Sequence, residues 1–428
     1  MLDRSQQPPL HEMEEYTIQH PVCQVLPNGV KLYILDTGDV EITRIDLVFD
    51  AGKQYQDQVM QALFANRMLR EGTRSLNRAE IAEKLDFYGA WMDQNVAYDH
   101  AFVSLYSLNK YLPQTIDLLA QMVQEPVFDE QALEVVKQNN LQIHRVSLRK
   151  TSVQARRKFN KVVYGTDHLY GMMAEEADYQ AINHEVLVSF YQRQYHSGNL
   201  SIYLSGHITD DCITRIQQAF GHPFGQIQPA VPRHNLEVSL HPAAKHFVEV
   251  ENSVQSTVVI GKSTIGVLHP DCLPLRMLIT LLGGYFGSRL MTSVREEKGY
   301  TYGIFSMLNP TPSDNALMIL SDCAHEFVQP LLDEVYHQID LLQQERVGED
   351  ELTKVRSYLQ GDLCRTYDSS LTLSDAWIYV HTQGLPDTYF HDYWQTISNT
   401  TAADLQRLAC TYLCKESLTE VVAGQKKL

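Results

Sequence analysis

The chain is poor in cysteine and in positive charge, and it lacks any long apolar run. Its seven cysteines, an odd number in 428 residues scattered from Cys23 to Cys414, suit a reducing compartment rather than a disulfide framework. Cys410 and Cys414 stand four apart and could share a helix face, although separately packed thiols are the simpler expectation. Lys and Arg number 35 against 52 Asp and Glu, and the resulting net charge of −17 argues against nucleic acid and anionic membranes as partners. No apolar stretch reaches transmembrane length, and the opening MLDRSQQPPLHEMEEY has no apolar signal-like segment. A cytoplasmic location is the expectation. The apolar fraction of 44% is ordinary, and at this length two or more domains are expected.

Along the chain, residues 1–20 read as an arm. VLPNGVKLYILD (Val25–Asp36) carries an Asn-Gly hairpin turn, and IDLVF (Ile45–Phe49) reads as a buried strand. Helices are expected over Gln58–Arg70, from Leu76 to a closing Gly89, over Leu112–Gln124, and from Asp129 towards Arg149; two strands lie at Trp91–Ala97 and His100–Ser107. Pieces then recur. DEQALEVVKQNNLQ resembles GEDELTKVRSYLQG, with Leu133 and Leu352 equivalent at an offset of 219 residues. YHSGNLSIYLSG resembles YLCKESLTEVVAG, with Gly206 and Gly424 equivalent at 218. Two motifs with nearly equal offsets predict duplicated halves: a first domain over 21–222, a Pro- and Gly-bearing linker at 223–236, and a second domain over 237–428. Strands and helices mixed in this way predict an α+β fold in each half.

The most distinctive stretch is LGGYFGSRLMTSVREEKGYTYGIFSM, Leu282–Met307. Gly283, Gly284 and Gly287 permit close backbone approaches, and Ser288 is placed as an N-cap for a short helix, Arg289–Lys298, ended by Gly299. A strand comes next, in which Tyr300, Tyr302 and Ile304 share one face. Arg295 and Tyr302 would then converge across a glycine turn, where a guanidinium and a phenol could hold a peptide carbonyl. On local grounds the same residues fit a helix-end arginine and a core tyrosine.

The order LGG, S-R-L, R-E-x-x-G-x-x-Y resembles the carboxy-terminal half of the insulinase (pitrilysin-like) family of zinc peptidases. The resemblance runs through nearly the whole chain after Tyr16. It implies two homologous α/β-roll domains facing each other, each a mainly antiparallel sheet with helices packed on it. It further implies that Arg295 and Tyr302, with Gly283 and Gly284, bind substrate opposite a zinc ion. Active members carry the zinc on a His-x-x-Glu-His helix, whose histidines at i and i+4 share a face while the glutamate activates water. Met68, Leu69, Gly72 and Thr73 match the residues just downstream of that motif, which places its histidines at Leu63 and Arg67 and its glutamate at Asn66. All three are lost. From Val135 to Lys150, where a further glutamate ligand belongs, there is no carboxylate; Glu134 lies too early, and His144 alone makes no site. None of the 17 histidines forms an i, i+4 pair.

The expectation is a zinc-less, non-catalytic subunit of a heteromeric peptidase that holds no metal or cofactor itself. It would contribute Arg295 and Tyr302 to a homologous partner that carries the zinc, with a peptide as substrate. A peptide-binding or scaffold protein of the same fold is the alternative, and peptidase chemistry of another kind is a third reading. The sequence leaves open whether the chain also pairs with itself.

Overall fold

The computed structural model describes residues 13, 17–239 and 241–426. Most of the expected amino-terminal arm (1–12 and 14–16) lies outside the described residues. Two sheets organise the rest. The first contains β1 (Val22–Val25), β2 (Lys31–Asp36), β3 (Ile42–Phe49), β4 (Trp91–Val96), β5 (Ala101–Leu108) and β6 (Leu200–Gly206), in the order β1-β2-β6-β3-β5-β4. The second contains β7 (Lys245–Glu249), β8 (Ser256–Thr264), β9 (Thr301–Pro310), β10 (Asn315–Cys323) and β11 (Thr419–Gly424), in the order β7-β11-β8-β10-β9.

Setting aside the extra edge strand β1, the two orders are the same. Each sheet has one parallel pair, β2 with β6 and β7 with β11, and is otherwise antiparallel. The helices obey the same repeat: α4 (Glu130–Ser147) and α11 (Glu349–Tyr367) begin 219 residues apart, with Leu133 and Leu352 buried at equivalent places. The fold is therefore α+β and duplicated.

Local chemistry accounts for many boundaries. The β1–β2 hairpin turns on Asn28-Gly29, with Gly29 at φ +89. Asn77 and Glu80 form a capping box on α2 (Arg78–Tyr88), and Gly89 closes it in the left-handed region. α3 spans Leu112–Gln124 as expected. α1 is shorter than predicted, Gln61–Met68, because Met60 at φ +74 cannot extend it backwards. α14 (Ala402–Tyr412) stops before Cys414, so Cys410 and Cys414 do not share a helix face. The described residues of 221–244 carry no helix or strand, yet they are tied to the first half through Arg233 and His234 backbone N–H groups donating to the Gln54 carbonyl.

How the halves meet was not visible in the sequence. In β3, Ile45, Leu47 and Phe49 face the first half's own helices, while Arg44, Asp46 and Val48 face the other way. That second face is covered by α12 (Ser370–Thr382) of the second half, with Ile378 packed on Val48 and Tyr203. Reciprocally, α5 (Thr151–Tyr164) of the first half lays Ala155, Phe159 and Val163 against Val259, Met318 and Val421 of the second sheet. Each half thus lends one helix to the other's sheet. With both faces covered, β3, β8 and β10 are buried almost throughout, and each contains a continuous apolar run, Leu47–Phe49, Val258–Ile260 and Ala316–Leu320. Polar links reinforce the exchange: Arg44 pairs with Asp375 at 2.5 Å, Tyr203 meets His381 at 3.2 Å, and Thr257 donates to Thr151 at 2.9 Å.

Candidate functional site

Two places were marked by sequence, and the structure treats them differently. α1 carries Leu63, Asn66 and Arg67. Asn66 is fully buried, and its amide donates to the Phe102 carbonyl at 3.3 Å and to the Tyr195 hydroxyl at 3.1 Å. Its backbone carbonyl accepts from the Gln94 amide at 2.5 Å. The side chain that the resemblance puts at the glutamate position thus holds α1 to the sheet through its NH2 group, while its Oδ1 is buried without a hydrogen-bond partner. Arg67 is half-buried and has no ion pair among the described residues; burial lowers its pKa, with the Tyr179 phenol opposing. His144 of α4 also reaches Tyr179, ring to ring at 5.0 Å, and its Nε2 is buried without a hydrogen-bond partner. Burial, together with the neighbouring Arg157, keeps the His144 pKa below its ordinary value.

These residues do not fit a zinc ion. Leu63 offers no donor atom, Asn66 is a neutral amide that cannot serve as a carboxylate base, and a guanidinium at Arg67 repels a cation. Glu134 lies on α4 but is exposed and bound to Gln138 at 2.7 Å and Lys137 at 3.4 Å. Among the described residues no group of three or more His, Cys, Asp or Glu side chains could hold a metal ion. The sequence did not reveal Tyr179, Arg157 and Tyr195 as members of this region, since they come from distant segments.

The second place is the turn from the glycine loop into β9. α9 (Cys272–Ile279) runs into a wider π-helical turn, Thr280–Gly284, and a second such segment spans Met291–Glu297. Gly283 is buried against β9: a Cβ there would lie 2.8 Å from the Ser306 nitrogen. Gly284 borders the adjoining cavity. Ser288 precedes the helix as expected, but its buried Oγ makes no hydrogen bond, so it does not cap through its side chain. Gly299 sits at φ +66 and reverses the chain.

Beyond it the expected alternation fails at one point. Thr301 pairs with Cys323 and Ile304 with Ser321, so Tyr302 and Gly303 together oppose Asp322. This bulge turns Tyr302 out of the face it would share with Ile304. Ile304 is fully buried while Tyr302 is 91% exposed, and a core tyrosine is excluded. Thr301 fixes the bulge, its Oγ1 meeting the Asp322 carbonyl at 2.6 Å and the Gly303 carbonyl at 2.9 Å. Arg295 and Tyr302 line one open hollow of about 570 Å³, with Gln255, Asp322 and Phe327 on its wall. The Arg295 guanidinium lies 4.6 Å from the ring centroid of Phe286, an exposed aromatic that sequence reasoning had not singled out. Neither the Arg295 nor the Tyr302 side chain has a hydrogen bond or ion pair among the described residues. The hollow can therefore present a cationic donor and a phenol to a polar group from outside.

Two sheets of the same strand order, β1 aside, each with helices packed on it, define the class. Residues 36–165 match the family model described as Insulinase (Peptidase family M16), and residues 181–359 match that described as Peptidase M16 inactive domain. The chain belongs to the insulinase family, as a member lacking a metal-binding group among its described residues. It is 22% identical over 358 residues to the "Uncharacterized zinc protease YmxG" of Bacillus subtilis, covering 82% of this chain and 85% of that one. An "Uncharacterized zinc protease" of Rickettsia felis is 21% identical over 345 residues, covering 79% and 82%. Among solved structures, the peptidase M16 inactive domain from Pseudomonas fluorescens superposes with a TM-score of 0.85 at 23% identity, covering 95% of this chain and 98% of that one. A protease from Helicobacter pylori superposes at 0.86 with 17% identity, covering 95% and 100%. These facts fit a non-catalytic member of the family. No helix among the described residues is long and apolar enough to cross a membrane.

Proposed function

We propose that this chain is the zinc-less subunit of a heteromeric insulinase-family peptidase. In this reading a homologous partner holds the zinc, and Arg295 and Tyr302 receive the peptide substrate opposite it, in the cytoplasm. One observation supports the reading above others: a bulge holds Tyr302 91% exposed in the hollow it shares with Arg295, and neither side chain makes a hydrogen bond or ion pair among the described residues. A scaffold would not need that arrangement. The pair would polarise and position the scissile carbonyl while the partner's metal supplies the nucleophile.

The test is reconstitution with a zinc-bearing homologue, beginning with one encoded beside this chain. The isolated chain should retain less than one equivalent of zinc on elemental analysis and cleave nothing. In the assembled pair, Arg295→Ala and Tyr302→Phe should each cut turnover by about 10²–10³ with co-elution on size-exclusion chromatography preserved. A loss confined to KM would indicate uniform substrate binding. Unchanged turnover in both variants, with assembly intact, would leave the scaffold reading in its place.

A further inference from the structure

The second half contains a larger cavity, of about 650 Å³, between α9, α11, α12, α13 (Tyr389–Asn399) and the later half of β9. Arg276, in the last turn of α9, points into it. Its guanidinium lies 5.0 Å from the Tyr393 ring centroid and donates to the Tyr389 hydroxyl at 3.5 Å, while remaining accessible through the cavity. Tyr379 and Phe390 extend the aromatic wall. Tyr393, against the effect of burial and with help from Tyr389 and Tyr379, raises the Arg276 pKa, so the group is a permanent cation.

The charges around it decide what it can take. Two carboxylates border the cavity, and both are engaged elsewhere. Asp362 is paired with Arg365 at 2.7 Å, and Asp375 with Arg44, from the other half, at 2.5 Å, an arginine that Asp46 shares at 2.8 Å. Arg276 has no ion pair among the described residues. It is the one Lys or Arg side chain on the cavity wall and pairs with neither carboxylate, in a volume typical of small-ligand sites and lined by rings that stack on apolar or aromatic groups. A guanidinium with free donors in such a place matches the planar, bidentate geometry of a carboxylate.

We propose that this cavity binds a free carboxylate borne on an aromatic or apolar body, with Arg276 holding the carboxylate and Tyr393 and Tyr389 flanking the body. Such a group is offered by a small acid or by the carboxy-terminus of a peptide. The site is separate from the Arg295–Tyr302 hollow, and the proposal does not depend on the function assigned there.

Calorimetric titration of the full chain with N-acetyl-phenylalanine, and with its amide, tests it directly. The acid should saturate one site, and the amide should bind at least about tenfold more weakly, since it lacks the charge that a guanidinium hydrogen bond rewards. Arg276→Met should abolish acid binding, while Arg276→Lys keeps part of it. A tetrapeptide ending in phenylalanine, free or amidated, separates the two sources: binding of the free tetrapeptide assigns the site to peptide ends, and its exclusion assigns it to small acids. Equal affinity for acid and amide, binding that survives Arg276→Met, or no saturation by about 10 mM acid would overturn the proposal. Should Arg276→Met fail to fold, because the Tyr393 contact is lost, the acid–amide comparison on the natural chain decides alone.

Discussion

His100 stands between two carboxylates, its Nε2 at 3.2 Å from Asp50 and its Nδ1 at 3.1 Å from Asp99. Burial by itself would lower its pKa, but the close contacts with the carboxylates of Asp50 and Asp99 raise it from 6.5 to about 9. A folded-state pKa above the unfolded one means stability that is fully present below pH 6.5 and lost as pH rises through 9. The contribution is on the order of 2–3 kcal/mol. In urea titrations, the stability gap between the natural chain and His100→Gln should be widest near pH 6 and narrow by about that amount near pH 9.5. A gap independent of pH would remove the ion-pair account. The exposed pair should behave in the opposite way: Arg295→Ala and Tyr302→Phe should each move the urea-derived stability of the isolated chain by no more than about 0.5 kcal/mol. At this scale the sequence was informative where chemistry is local. Leu63, Asn66 and Arg67 fall on one helix, and Arg295 and Tyr302 line one hollow, as their spacing predicts; the roles given to them belong to the proposal. What occupies Asn66 could not be read from spacing, because its partner Tyr195 is 129 residues away.

Among the elements, the hairpin, α2, α3 and the start of α4 were legible because turn and cap residues specify them without reference to the rest of the chain. The bulge at Tyr302 was not, since it is created by the register with β10 rather than by β9 itself. The two exchanged helices, α5 and α12, were missed for a related reason. α5 offers a thin apolar seam of Ala155, Phe159 and Val163 amid basic residues, and its significance lies in a sheet more than a hundred residues later. That seam nevertheless carries energy. Phe159 is fully buried against the second sheet, so Phe159→Ala should cost roughly 3–5 kcal/mol, read as a lowered urea midpoint. Phe87→Ala on α2, where the ring is 75% exposed, should stay within about 0.5 kcal/mol. Equal effects would mean that α5 does not bind the halves together.

For the molecule as a whole, duplication did not produce two independent units. Each sheet needs a helix from the other half, and an ion pair between buried Arg44 and exposed Asp375 crosses between them. Scanning calorimetry should therefore show a single unfolding transition, and Phe159→Ala should shift it as one; two resolved transitions would contradict this coupling. The repeat itself could be read from two short motifs because helix starts and strand ends kept their spacing, whereas the mutual coverage left no mark of its own in either copy. That coverage also sets an order of events during synthesis. The last strand of the first sheet, β6, is complete at Gly206, but α12, which must cover Val48 and Tyr203, begins only at Ser370. At ordinary translation rates, those roughly 160 residues take on the order of ten to thirty seconds. Through that interval the nascent first half leaves Val48, Tyr203, Tyr33 and Phe102 on an uncovered sheet face, and so the chain's exposure to chaperones and to aggregation is governed by how quickly its second half is made.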